Sequence, residues 1–127
     1  MGKLFVSQHV YRVFLGGLIT ICRTNGRLAP MELRALREVS EKLFDRNDIG
    51  ELVLDSSVTP KDLASAIDSA TSAREMTGSS REEISRAFME AALTVAGAGD
   101  GLDVREGTTI REFGLALGFN FDERGKP

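Results

Sequence analysis

The chain predicts an all-α fold: a compact bundle of five or more helices containing two pseudo-repeated helix–Gly-turn–helix units. Three observations carry this expectation. Apolar residues return at three- and four-residue steps in five separate stretches, the spacing of one helical face. Proline, hydroxyl and glycine residues punctuate the ends of those stretches. The first and last thirds of the chain also resemble each other. Strand signals are thin, because the best candidate, Leu52-Val53-Leu54, is short and has no alternating partner run.

The first helix, about Ser7–Cys22, places Val10, Val13, Phe14, Leu18 and Ile21 on one face. Gly16 and Gly17 each weaken its interior by about 1 kcal/mol relative to Ala, which implies a close helix–helix contact at that point. Asn25-Gly26 then supplies a turn that tolerates positive φ. Pro30 suits the first turn of the second helix, whose apolar stripe is Leu33, Leu36, Val39, Leu43 and Phe44. Thr59-Pro60 opens a third helix with a hydroxyl cap and a proline, followed by Leu63, Ile67 and Ala70. Ser80-x-x-Glu83 reads as a capping box for a fourth helix with the stripe Ile84, Phe88, Ala91, Ala92 and Val95. Gly97–Gly101 ends it, and a fifth helix carries Ile110, Phe113 and Leu117.

Self-similarity organises these helices. Leu36-Arg37-Glu38-Val39 aligns with Ile110-Arg111-Glu112-Phe113, an offset of 74 residues (110 − 36) that also pairs Glu32 with Glu106 and Leu43 with Leu117. Upstream, a one-residue shift inside the loop pairs Asn25-Gly26 with Asp100-Gly101, Phe14 with Met89 and Leu18 with Leu93. On this alignment the second loop is one residue shorter than the first. The units span about 7–45 and 80–119 of a single 1–127 domain, with a middle helix at about 60–74.

The two turns read Asn25-Gly26-Arg27-Leu28-Ala29-Pro30-Met31-Glu32 and Asp100-Gly101-Leu102-Asp103-Val104-Arg105-Glu106. With their flanking helices they resemble the tellurite-resistance TerB-like family, which includes the N-terminal regions of certain membrane-anchored DnaJ-type co-chaperones. The resemblance covers both hairpins and the intervening helix. It implies a helical interaction domain linked to stress response or to a membrane-associated complex, and divalent-metal binding through the acidic turn positions. The first copy departs from the pattern, since Asn25 replaces an acid and Met31 stands where another acid is common.

Composition narrows the function classes. Lys+Arg (16) is outnumbered by Asp+Glu (19), giving a net charge of −3 and no basic stripe for nucleic acid. Cys22 is the only cysteine and lies in an apolar run, so it reads as a core thiol; His9, the only histidine, has nothing to orient it toward Cys22. The apolar run Val10–Cys22 is interrupted by Arg12 and is shorter than the roughly 20 residues needed to span a bilayer, so the expected location is cytoplasmic. Gly97–Gly101 lacks the Lys-Ser/Thr of a phosphate loop. Arg34, Arg37 and Arg46 interleave with Glu38, Glu41 and Asp45 as a solvated face, and Ser56, Ser57, Ser79 and Ser80 read as turn and cap residues.

One candidate site is left. Asp100, Asp103 and Glu106, with Glu32 from the first unit, offer the oxygen ligands that a hard cation such as Ca²⁺ takes. The structural alternative is that Asp103 caps the fifth helix and Glu106 completes an acidic capping box, with the positive helix end opposing a cation. The sequence therefore points to a non-catalytic module that binds a protein partner or itself through an exposed apolar strip, or to a divalent-cation module using the second acidic turn. Peripheral membrane association is compatible with either reading, and no constellation for an enzyme is evident.

Overall fold

The computed structural model describes residues 4, 6–25, 30–45, 58–72, 81–98 and 104–119. They form five helices: α1 (Gln8–Cys22), α2 (Pro30–Phe44), α3 (Pro60–Ser72), α4 (Arg81–Ala96) and α5 (Val104–Ala116), with a 3₁₀ turn, Arg23–Asn25, after α1. The architecture is all-α among these residues, as the periodicity predicts. The strand candidate Leu52–Leu54 lies outside them.

The helix ends follow from local chemistry. Ser7 caps α1, its hydroxyl accepting the Val10 N–H at 3.2 Å. Thr59 and Asp62 form a reciprocal box at the start of α3: Thr59 Oγ1 accepts the Asp62 N–H at 3.1 Å, and Asp62 accepts the Thr59 N–H at 3.0 Å. Those bonds hold the Asp62 carboxyl below its ordinary range, the Thr59 backbone N–H contributing most. Ser80 of the box expected before α4 lies outside the described residues. Helix α5 ends in a Schellman turn, with Gly118 at φ 96°, its N–H bonded to the Leu115 carbonyl and the Phe119 N–H to Gly114. Arg81 ties three elements together from the first position of α4. Its guanidinium meets Asp68 of α3 at 2.6 Å and donates to the Leu117 carbonyl at 3.0 Å.

Helix α1 is buried more widely than a single stripe. Ten of its 15 residues are buried, including Tyr11, Leu15, Ile19 and Cys22 beside the expected set, because α1 packs against all four other helices. Four T-shaped or tilted ring contacts run through the core as Tyr11–Phe44–Phe14–Phe88–Phe113, with centroids 5.0–5.2 Å apart. Gly17 is the close contact that the glycine pair implied: a Cβ there would stand 3.0 Å from Phe88 Cε1 and 3.2 Å from Phe113 Cε1. Among the described residues, no helix is long and apolar enough to cross a membrane.

The helices correct the alignment of the two hairpins. Seven residues separate α1 from α2 (23–29) and seven separate α4 from α5 (97–103), so the two connections are equal in length. A constant shift of 74 residues, the one that lays Glu32 on Glu106, matches both helix ends and burial. It places buried Phe14 on buried Phe88, Leu18 on Ala92, Ile21 on Val95 and Cys22 on Ala96. The alternative pairing of Phe14 with Met89 and Leu18 with Leu93 would also set buried Cys22 on exposed Gly97; the constant shift keeps Phe14, Leu18 and Cys22 on buried partners, though it leaves buried Ile19 against Leu93, which is 54% exposed. The Asn-Gly and Asp-Gly dipeptides had drawn the alignment out of register; burial restores it.

Candidate metal centre

The first turns of α2 and α5 are built alike. Pro30 and Val104 open the two helices, so Glu32 and Glu106 each occupy the third position. From there a carboxylate lies near the unsatisfied N–H groups and partial positive charge of the helix start. A capping glutamate ordinarily keeps its carboxylate in water. Here both are buried, Glu32 at 3% exposure and Glu106 at 1%. Cys22, the last residue of α1, is fully buried as well.

These three side chains converge. The Cys22 sulfur and one carboxylate oxygen from each glutamate all lie within 4.8 Å of one another. Burial, followed by the charges of Glu32 and Glu106, pushes the thiol far above its ordinary range, and its S–H donates to the Glu32 carboxylate. Cys22 is therefore a neutral thiol at physiological pH, and a thiolate nucleophile is disfavoured. The Glu106 carboxylate is engaged by its surroundings, while its Oε2 atom, itself buried, accepts no hydrogen bond from the described residues.

The electrostatics state what such a cluster can do. Two ionised carboxylates within 4.8 Å of each other would repel by at least about 3 kcal/mol at an effective dielectric of about 20. A divalent cation between them turns that repulsion into attraction. Metal–ligand bonds of about 2.0–2.3 Å put tetrahedral ligand atoms about 3.3–3.8 Å apart, inside the 4.8 Å limit within which the three donors lie.

Of the residues singled out by sequence, the structure unites Glu32 and Glu106. Asp100 and Asp103 lie outside the described residues, as does the first turn's Gly26. Cys22 is a buried thiol, as its apolar run predicts, and its place beside the two carboxylates is visible only in the structure. No local spacing announces it, because its neighbours lie 10 and 84 residues away in sequence. The pairing of Cys22 with His9 is ruled out: His9 is exposed and sits 13 residues earlier on the same helix, about 20 Å along its axis. A scan against protein-family models, a search of curated proteins and a search of solved structures each found no match to this chain.

Proposed function

We propose that this chain is a non-catalytic, TerB-like regulatory module whose buried Cys22–Glu32–Glu106 centre binds a divalent cation. The observation that carries the reading is the convergence of two glutamates, each third in its helix, with a thiol in a site closed to bulk water. Asp100 and Asp103 belong to the proposed ligand set on sequence position alone. The family assignment rests on the two turn motifs and their flanking helices. With it come a cytoplasmic location, a link to stress response or a membrane-associated complex, and output through a protein partner or self-association.

The donor set revises the expected ion. Ca²⁺ takes six to eight oxygen ligands, whereas a thiol with two carboxylates suits a borderline ion of the zinc class. On binding, the Cys22 S–H bond breaks, its proton leaves to solvent, a sulfur–metal bond forms, and no electron is transferred.

Thermal melting of the EDTA-treated full chain, with metal content measured in parallel, tests this. A zinc-class ion is expected to bind once per chain and to stabilise it by about 2.7 kcal/mol at 100 times Kd. Ca²⁺ at the same concentration should do less, and Glu32→Gln and Glu106→Gln should each lose most of the effect. No shift with Zn²⁺, Mn²⁺ or Ca²⁺ at millimolar concentration overturns the reading.

A further inference from the structure

We infer that the groove between α2 and α4 docks an amphipathic helix of a partner protein, one with an apolar stripe and a basic flank. The groove has a volume of about 220 Å³ and a small apolar floor of Ala35, Val39, Leu43, Ala87 and Ala91.

Its occupant is argued from the other half of the molecule. The shift of 74 residues exchanges α1 with α4 and α2 with α5, so it carries this groove onto the junction of α1 with α5. Ala87 and Ala91 fall on Val13 and Gly17, and Leu43 falls on Leu117. That junction is covered by α3, which packs chiefly on α1 and α5 and buries Leu63, Ala66 and Ile67. One half of the fold thus holds a helix from its own chain, and among the described residues no helix lies over the matching half, where Glu90, Leu93 and Thr94 are exposed.

The hydrogen bonding repeats in the same way. Thr20 Oγ1 donates to the Gly16 carbonyl at 2.9 Å and accepts the Val58 N–H at 3.1 Å, just where the chain enters α3. Thr94 is its counterpart. Its hydroxyl donates to the Glu90 carbonyl at 2.9 Å, lines the groove, and makes no second hydrogen bond among the described residues. A chain segment entering a helix over this groove would offer Thr94 the N–H that Val58 offers Thr20.

Charge selects the occupant. Where the covered junction has Gly16, the open groove has Glu90, and with Glu38 it sets two acids against the single Lys42. A basic side chain on the incoming helix complements this rim. A second copy of α3, with exposed Asp62 and Asp68, does not.

The test uses the full chain and two labelled 15-residue synthetic helices, each with the Leu63–Ala66–Ile67 stripe and one with a basic, the other an acidic, flank. The basic helix is expected to bind at least about tenfold more tightly. Thr94→Val should weaken it several-fold, and Glu90→Lys, an exposed change that leaves the core intact, should reverse the preference. Failure of both helices to bind overturns the inference, and so does binding indifferent to Thr94 and Glu90. Sedimentation that reveals a dimer broken by Glu90→Lys would overturn it in favour of a second copy.

Discussion

The α1–α2 and α4–α5 hairpins share a seven-residue connection and similar helix lengths but differ in their interiors. Burial agrees at most positions under the 74-residue shift, with exceptions such as Ile19 against exposed Leu93, and the residues differ in size: Leu18 answers to Ala92, Val13 to Ala87 and Cys22 to Ala96. The first hairpin is therefore richer in bulk, and it alone supplies a thiol. Both supply a glutamate at the third position of the second helix, and these are the residues that meet in the centre. The difference teaches that geometry is shared between the halves while chemistry is not. Two matched carboxylates come from the shared geometry, and one unmatched sulfur distinguishes the site.

The largest test of equivalence lies where the halves touch. Phe14 and Phe88 occupy matching positions, both fully buried, with ring centroids 5.2 Å apart at 82°. Phe14→Ala and Phe88→Ala should each cost about 3–5 kcal/mol in urea denaturation, within about 1 kcal/mol of each other. A cost below about 1 kcal/mol at either position would break the comparison at its core.

A smaller effect separates Gly17 from its counterpart Ala91. Gly17→Ala gains about 1 kcal/mol of helix propensity but forces a Cβ to 3.0 Å from Phe88 Cε1, on a ring already held by Phe14 and Phe113. Overpacking of this kind costs about 1–3 kcal/mol, so a net loss of about 1 kcal/mol is expected. Ala91 already carries a Cβ and lines the groove between α2 and α4. A stabilised Gly17→Ala chain would show that Phe88 can yield.

The sequence made the helices legible because their signals are local. Pro30 and Phe44 bound α2 and Thr59 marks the cap of α3, all within one or two turns of the residues they control, whereas the cap that Ser7 forms on α1 is seen only in the structure. The register between hairpins was not legible in the same way. Asn25-Gly26 and Asp100-Gly101 are the most conspicuous dipeptides, and aligning them misplaced α1 on α4 by one residue, a 100° rotation about the helix axis. Only burial, which depends on all five helices together, exposes the error. The centre was half legible. Glu32 and Glu106 could be paired by offset, but Cys22 reaches them only through the packing of α1 against two helix starts. Burial of α2 likewise follows Glu32, Ala35, Leu36, Ser40 and Leu43 rather than apolar residues alone.

The smallest effects fall where one hairpin satisfies a polar group and the other does not. Tyr11 Oη and Ser40 Oγ share a buried hydrogen bond at 2.9 Å, with the Tyr11 ring packed edge-on against Phe44. The shift turns this corner into Ser85, Gly114 and Gly118: the ring, its hydroxyl partner and its packing neighbour are all gone. What is left is a buried Ser85 Oγ with no hydrogen-bond partner among the described residues. Equivalent positions should then respond with opposite signs. Tyr11→Phe removes one half of a made bond and should cost about 1 kcal/mol. Ser85→Ala removes a hydroxyl that lost its water on folding and gained nothing in return, so it should be neutral or stabilising by up to about 1 kcal/mol. Paired denaturation curves at constant m-value read both. If Ser85→Ala destabilises by as much as Tyr11→Phe, the Ser85 hydroxyl has a partner after all, and the second hairpin has rebuilt with different groups the bond that the first makes with Tyr11 and Ser40.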